Sequence, residues 1–290
     1  CEQAINEREQ LGENAMQQRV DITIENQIAH VRMVRSDKMN ALDNNMMESM
    51  IAAGERLKNE AGLRAIVLSG EGRAFCAGLD MGNFSATADN AGSGQEVTRK
   101  PLVERTHGQA NMPQKVACIW REIGVPVIAA AHGFTLGGGF QIFMGADIRF
   151  AAPGTKFSIM EIKWGLVPDM GTTHVMARLA REDVLKELAM TGRIFEADEA
   201  LEIGFLTRIH DDPVAHAMEV AQQIASRNPE AIRGIKRLYN EPADRHLPET
   251  LILESEIQDE IIGGPNQIEA VMAEMEKREA RFDDVASAAE

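Results

Sequence analysis

Long apolar stretches are absent from this sequence. No run approaches the roughly 18 consecutive apolar residues that a membrane-spanning helix requires. Residues 1–18 are polar and lack the apolar segment of a secretory signal peptide. We therefore expect no membrane partner, and we expect a cytoplasmic location.

Cysteine is also scarce. The three cysteines are Cys1, Cys76 and Cys118, and no two of them have the C-x-x-C spacing of a metal site. An odd number argues against a disulfide framework, so we expect a reducing compartment. No cluster in the sequence has metal-ligand spacing, and no metal site is predicted.

Positive charge is in short supply. The chain has 30 Lys and Arg residues and 45 Asp and Glu residues, which gives a formal net charge of −15. A basic footprint is the usual mark of a nucleic-acid-binding protein, so the net charge argues against nucleic acid as the main partner, and none is expected. An anionic small ligand stays possible, because a few local cations dominate the field at contact distance.

The 290 residues are enough for one large domain with an appendage. Short apolar runs between turns predict strands, and apolar residues spaced three or four apart predict helices. The predicted strands are 20–25, 28–35, 65–69, 127–131, 147–151 and 156–159. The predicted helices are 44–59, 112–123, 136–145, 171–191, 197–203, 213–227, 229–240, 248–261 and a charged tail over 265–290.

Strands dominate the first half of the chain and helices the second, which predicts an α/β core followed by a helical region. We divide the chain into a polar lead-in at 1–18, a core at 19–205 and a helical C-terminal region at 206–290. The polar, glycine-rich segment 85–100 is predicted to be a loop. The longer segment 81–112 is expected to line part of the ligand pocket.

Two glycine-containing segments directly follow buried strands. They are Arg73-Ala-Phe-Cys-Ala-Gly-Leu-Asp80 and His132-Gly-Phe-Thr-Leu-Gly-Gly-Gly-Phe-Gln141. Ligands of open α/β sheets bind beyond the carboxyl ends of the strands, and small residues there let a ligand approach the backbone. The second segment also opens a helix, whose first N–H groups are unpaired and favour an anion. The alternative is that the glycines serve only close packing.

Six motifs occur in an order that resembles the crotonase superfamily, also called the enoyl-CoA hydratase/isomerase family. The resemblance covers about residues 18–240. The motifs are Asp37-Lys-Met-Asn-Ala-Leu42, Gly72-Arg-Ala-Phe-Cys-Ala-Gly-Leu-Asp80, Ala131-His-Gly-Phe-Thr-Leu-Gly-Gly-Gly139, Ala146-Asp-Ile-Arg149, Phe157-Ser-Ile-Met-Glu-Ile-Lys-Trp-Gly-Leu-Val-Pro168, and Thr191-Gly-Arg-Ile-Phe195 with the following Asp198-Glu-Ala-Leu-Glu-Ile-Gly204.

The resemblance implies a crotonase-like spiral of ββα units and a C-terminal helical region that builds a homotrimer or a dimer of trimers. It implies an acyl-CoA substrate, whose thioester oxygen is bound in an oxyanion hole by the N–H groups of Ala77 and Gly138. No cofactor is expected beyond the coenzyme A of the substrate. The residues expected to bind substrate are Lys38 near the coenzyme A phosphates, Ala77, Gly78, Leu79, Asp80, Gly138 and Gln141.

The oxyanion hole alone does not determine the reaction type. The reaction depends on the acid–base residues near the acyl chain, which remove and donate protons. The related hydratases carry two glutamates, but this chain has Gln141 at the first position and Glu161 at the second. An amide does not titrate in the working range, which weakens a hydratase mechanism, although Gln141 could still orient a water molecule. The related dienoyl-CoA isomerases pair Glu and Asp at the positions of Glu161 and Asp169. We therefore expect Glu161 to be the principal base and Asp169 a second proton carrier.

Three alternatives are compatible with the sequence. Asp169 could simply cap the helix predicted to start near Gly171. The protein could be a non-catalytic acyl-CoA-binding oligomer, although an inert binder has no need of a carboxylate like Glu161 in a mostly apolar run. Dehalogenases of the superfamily use an aspartate at the Asp169 position as a nucleophile, but they carry Trp where this chain has Glu161. His132 is interpreted as a structural brace for the glycine loop.

Overall fold

The structure is a computed structural model. It describes residues 19–80, 101–240, 256, 258–262 and 264–285. The predicted lead-in at 1–18 and the predicted loop at 85–100 lie outside the described residues. Most of the predicted pocket segment 81–112 and the first half of the predicted helix 248–261 lie outside them as well.

The described part of the chain is a mixed α/β structure. Its strands are β1 (Val20–Glu25), β2 (Ile28–Met33), β3 (Ala65–Gly70), β4 (Val127–Ala131), β5 (Phe134–Leu136), β6 (Ile148–Ala151), β7 (Lys156–Ser158), β8 (Phe195–Glu196) and β9 (Arg208–Ile209). Its helices are α1 (Asn44–Lys58), α2 (Met112–Glu122), α3 (Gly138–Met144), α4 (Thr173–Met176), α5 (Glu182–Thr191), α6 (Ala197–Ile203), α7 (Pro213–Ala225), α8 (Pro229–Asn240) and α9 (Pro265–Glu276). Two short 3-10 helices occupy Ser36–Lys38 and Glu161–Trp164.

The strands form two sheets. The larger sheet has the order β1-β2-β3-β4-β6-β9, with β1 and β2 antiparallel and every other neighbouring pair parallel. The smaller sheet has the order β5-β7-β8. Because β3 and β4 run parallel and side by side, their carboxyl ends open at the same edge, and the two glycine segments follow there.

Apolar side chains cover both faces of the larger sheet. Strands β3 and β4 are buried along their whole length, as expected for parallel strands covered on both faces. Helices α1 and α2 pack on one face around the fully buried Trp120. Helix α7 packs on the other face, where Ala217 and Ala221 belong to the same buried apolar cluster as Val67 and Ala130. The sheet edge that carries the glycine segments is therefore rigidly supported.

Local sequence explains where the first two helices begin. The Asp43 carboxylate accepts a hydrogen bond of 2.7 Å from the Met46 N–H and caps α1. Helix α2 begins with a full capping box, in which Asn111 and Gln114 each accept from the backbone N–H of the other. Both start points agree with the predicted helices to within a residue.

Two predicted helices are wrong in detail. The predicted helix 136–145 is strand β5 followed by α3, because Gly137 takes a positive φ of 51° between them and turns the chain. The predicted helix 171–191 is two helices, α4 and α5, with a turn between them that packs against Gly204. A Cβ on Gly204 would lie only 2.8 Å from the Leu179 carbonyl oxygen in that turn. The predicted domain boundaries at 18/19 and 205/206 stay predictions.

Candidate active site

The two glycine segments lie side by side and are joined by backbone hydrogen bonds. The Phe75 N–H donates to His132 O at 3.0 Å, and the Cys76 N–H donates to Phe134 O at 3.1 Å. In return, the Leu136 N–H donates to Cys76 O at 3.0 Å. These bonds place the backbone after β3 directly beside the start of α3.

The segment after the first 3-10 helix holds the other side of the first glycine loop. The Ala77 N–H donates to Met39 O at 3.0 Å, so this donor already has an acceptor. The Leu42 N–H donates to Gly78 O at 2.8 Å, and the Asp80 N–H donates to Leu42 O at 3.0 Å. The prediction that Ala77 supplies an oxyanion-hole donor is therefore wrong in this structure.

The neighbouring free donor is the N–H of Leu79. In a trans peptide the C=O and the N–H point in opposite directions. Gly78 O points at Leu42, so the Leu79 N–H points away from Leu42, and it donates no hydrogen bond to any described residue. A Cβ on Gly78 would lie 2.6 Å from Leu136 O and 3.6 Å from Gly138 N, which places this peptide beside the start of α3.

Gly138 supplies the second free donor, and its predicted role in an oxyanion hole stays a prediction. The Gly137 carbonyl accepts the first hydrogen bond of α3 from the Gln141 N–H at 3.0 Å, so it points along the helix. The Gly138 N–H of the same peptide then points out of the helix N-terminus. It too donates no hydrogen bond within the described residues. Leu79 and Gly138 thus present two adjacent N–H groups that can hold one negatively charged oxygen.

Gln141 lies one helical turn beyond these donors and is buried. Its Nε2 donates to Glu161 Oε1 at 2.6 Å. Its Oε1 accepts from the Met170 N–H at 3.0 Å and from the Thr172 hydroxyl at 3.3 Å. Because Met170 N–H can only donate, the amide oxygen must face it, and the NH₂ group must face Glu161.

Glu161 opens the 3-10 helix Glu161–Trp164 and directs one oxygen at Gln141. Its other oxygen, Oε2, is buried and has no hydrogen-bond partner among the described residues. Burial raises the pKa of Glu161. The hydrogen bond from Gln141 and one from the backbone N–H of Glu161 itself lower it, and the nearby negative charge of Asp169 raises it. The result is a carboxylate with a raised pKa and one uncommitted oxygen.

Asp169 lies in the turn before α4. Thr172 is the N-cap residue of α4, and its side chain makes no capping hydrogen bond. The two roles considered for Asp169, helix cap and proton carrier, stay predictions. The negative charge of Asp169 raises the pKa of Glu161, so the two side chains lie close enough to interact, and their roles as proton carriers stay predictions.

The remaining predicted substrate residues lie along the first loop. The Asp80 carboxylate is 2.6 Å from Arg35 Nη1, so its side chain serves this ion pair. Lys38 is exposed on the 3-10 helix Ser36–Lys38, close to the loop. The predicted contacts of Lys38, Gly78 and Asp80 with coenzyme A stay predictions.

Two residues that flank the hole have structural partners. His132 Nε2 lies 2.8 Å from Gly72 O, which agrees with its interpretation as a brace. Cys76 is fully buried and donates to Asn40 O at 3.1 Å, and burial raises the pKa of its thiol to about 12. A thiol with so high a pKa is not a nucleophile at neutral pH.

Sequence reasoning missed Asn40, whose Nδ2 donates to the carbonyl oxygens of Glu71, Ala74 and Phe75. Its positive φ of 55°, a conformation in which Asn is enriched, lets it fill this role. Within the described residues no group of three or more His, Cys, Asp or Glu side chains could hold a metal ion. No helix of the described part is long and apolar enough to cross a membrane.

Comparison with known proteins shows where this site belongs. A family model described as enoyl-CoA hydratase/isomerase matches residues 23–285. The chain belongs to the enoyl-CoA hydratase/isomerase family. It is 28% identical to a mouse mitochondrial Delta(3,5)-Delta(2,4)-dienoyl-CoA isomerase over 258 residues, which is 88% of this chain and 78% of the relative. It is 30% identical to the enoyl-CoA hydratase EchA19 of Mycobacterium tuberculosis over 256 residues, which is 87% of this chain and 91% of the relative.

Solved structures of the family have the same fold. The crystal structure of an enoyl-CoA hydratase from Bacillus anthracis superposes with a TM-score of 0.79 at 26% identity, over 93% of this chain and all of that one. The predicted crotonase-like α/β fold and the predicted enzyme class are thereby confirmed. The oligomeric state, the location and the absence of a cofactor stay predictions.

Proposed function

We propose that this enzyme moves a double bond along the acyl chain of a 3,5-dienoyl-CoA by transferring a proton. The thioester oxygen lies against the N–H groups of Leu79 and Gly138. Glu161 and Asp169 carry the proton. The dienolate formed in between has its negative charge on the thioester oxygen, where the two donors stabilise it.

The observation that carries this proposal is the neutral Gln141 at 2.6 Å from Glu161. A second carboxylic acid at that point would help to add water across a double bond, as in the hydratases that carry two glutamates. An amide cannot take or give the proton. Asp169 is then the second titratable group whose charge reaches Glu161, and a Glu–Asp pair suits proton transfer between two carbons.

The proton balance needs one ionised and one protonated group in the Glu161–Asp169 pair. The ionised group removes the proton from C2, the electron pair spreads over the dienyl thioester, and the protonated group returns a proton at C6. Proton exchange with water then restores the two starting protonation states. The two double bonds move from C3 and C5 to C2 and C4. The curated isomerase relative from mouse is named for this same change, which supports the choice of substrate.

The free Oε2 of Glu161 favours an enzyme over an inert binder. A buried carboxylate oxygen without a partner costs stability, and a binder gains nothing from keeping it. A proton-transfer enzyme needs such an oxygen within reach of the substrate.

The test is to incubate the protein in D₂O with 3,5-dienoyl-, 3-enoyl- and 2-enoyl-CoA and to analyse products by mass spectrometry. We expect 2,4-dienoyl-CoA, with deuterium incorporated and no added water. Glu161→Gln should lower turnover by about 10²-fold or more. Glu48→Gln, an exposed glutamate on α1, is the matched control and should leave turnover unchanged.

Other products would support the alternatives. Products heavier by one water would identify a hydratase. Tight binding without turnover would identify a non-catalytic acyl-CoA-binding protein. A covalent adduct on Asp169 in peptide maps would support the nucleophile role known from dehalogenases. Each of these outcomes would contradict the isomerase proposal.

We also propose that the protein works as a homotrimer or a dimer of trimers. Helix α9 exposes Ile268, Val271, Met272 and Met275, which are spaced three or four residues apart and so share one face. A second copy of the chain would bury this face. Light scattering should give three or six times the mass of 31.9 kDa, and a monomer would contradict the proposal.

A further inference from the structure

The hydroxyl of Thr172 is fully buried and points at the amide oxygen of Gln141. A buried hydroxyl loses water on folding and needs an acceptor, which Gln141 Oε1 supplies. The same oxygen also accepts from the Met170 N–H at 3.0 Å. Two donors thus hold one end of the Gln141 amide.

These two donors determine which end of the Gln141 amide faces Glu161. With Oε1 of Gln141 held, the NH₂ group faces Glu161 and donates at 2.6 Å. In the opposite orientation the amide oxygen would face Glu161, and only a protonated Glu161 could bond it. The orientation of the Gln141 amide and the protonation of Glu161 are therefore coupled.

We propose that Thr172 is a positioning residue that acts through Gln141 to keep Glu161 ionised, with Oε2 as the oxygen that exchanges the proton. Oε1 of Glu161 accepts the hydrogen bond from Gln141, whereas Oε2 of Glu161 is buried and without a partner among the described residues. The inference rests on the proposed isomerase function.

Other charges near Glu161 do not provide the same control. Among the described residues, Asp169 is the charged side chain whose field shifts the pKa of Glu161, and it acts in the opposite direction. Lys163, on the same 3-10 helix, lies over the ring of Trp164. Helix α5 packs against this turn, and its carboxylates pair with cations at the surface. These pairs are Glu182 with Lys186, Asp183 with Arg181, and Glu187 with Arg193.

The test compares Thr172→Val, which removes the hydroxyl but keeps the shape, with Thr172→Ser, which keeps the hydroxyl. Without the Thr172 hydroxyl, the Gln141 amide can turn its oxygen toward Glu161 more easily. That orientation favours protonated Glu161, so the pKa of Glu161 rises. We therefore expect the acid limb of the kcat profile of Thr172→Val to lie at higher pH. Its kcat should be about tenfold lower on that limb and should approach the wild-type value at high pH, with KM little changed.

Thr172→Ser should restore the wild-type profile. The matched control is Thr155→Val, which removes another fully buried hydroxyl, one that donates to Ala152 O at 2.7 Å outside the site. It should lower stability without moving the profile. If Thr172→Val does not fold, Thr172→Ala removes the same hydroxyl and is measured instead.

A second measurement needs no substrate. Infrared difference titration should assign the carboxyl band of Glu161 as the band that disappears in Glu161→Gln. That band should titrate at higher pH in Thr172→Val than in the wild type and in Thr172→Ser. An unchanged titration together with an unchanged profile overturns the role of Thr172, even if Glu161→Gln is inactive. A fully active Glu161→Gln instead overturns the proposed function.

Discussion

Replacement of Gln141 by glutamate is the most informative single change at this site. In Gln141→Glu, a carboxylate oxygen would stand 2.6 Å from Glu161 Oε1, where the structure has an amide nitrogen. Two full charges at this distance repel by about 6 kcal/mol at an effective dielectric constant of about 20. This is too much for both groups to stay ionised at neutral pH, so the pair would share one proton.

We expect two consequences for activity. Isomerisation at pH 7 should fall by about tenfold or more, because the shared proton occupies the base, and the acid limb of the rate profile should move to higher pH. Hydration of 2-enoyl-CoA should become measurable, because a second acid–base group now faces the first. Both activities can be followed by mass spectrometry from pH 5 to pH 9.

The free energy of unfolding of Gln141→Glu should fall, relative to wild type, as pH rises. The carboxyl at position 141 has a higher pKa in the folded variant than the value of about 4.3 for an unfolded glutamate. Relative to wild type, the variant is least affected below that unfolded pKa and loses stability as pH rises through the folded pKa. Thermal unfolding at several pH values measures this loss.

Gln141→Met is the control, because it removes the hydrogen bond without adding a charge. It should show a smaller shift of the acid limb and no hydration. An unchanged rate profile and unchanged stability in Gln141→Glu would show that the contact between positions 141 and 161 does not exist in solution. The assignment of the proton carriers would then fail with it.

Two further predictions concern the hole and the acid pair. Gly78→Ala should lower both stability and turnover strongly, because the added Cβ would lie 2.6 Å from Leu136 O. Gly154→Ala is the control, because Gly154 has a similar positive φ but open space around it, and it should cost only about 1 kcal/mol. Equal losses of unfolding free energy in the two variants would refute the close contact at Gly78. Asp169→Asn should lower turnover strongly, because it removes one of the two proton carriers. The pKa of Glu161, followed by its carboxyl band, should fall in the same variant, because the negative charge that raises it is gone; a rise would refute their proximity.

The sequence located the site to within two residues but assigned one donor wrongly. The motif identifies the loop after β3, yet it does not say which peptide in that loop faces the ligand. That depends on the positive φ of Gly78 and on the pairing of Leu42 with Leu79, which lie 37 positions apart in the chain. The glycine before Leu79 is the local feature that could have suggested the correct donor.

The fold was predictable where apolar patterning is strong, as in β3, β4 and α1. Strand β5 was missed because its three residues lie between glycines and pair only with the distant β7. The identity of Gln141 was enough to question hydration. Its orientation was not predictable, because it depends on the backbone of Met170 and the hydroxyl of Thr172, which lie about 30 positions away.

The most direct test of the proposed oxyanion hole is a crystal structure of the slow variant Glu161→Gln with 3,5-dienoyl-CoA bound. We expect the thioester oxygen to accept hydrogen bonds from Leu79 N and Gly138 N, each within about 3.1 Å. We also expect the side chain at position 161 to lie beside the substrate C2. A thioester oxygen bound to Ala77 N instead, or one remote from Gly138, would contradict it.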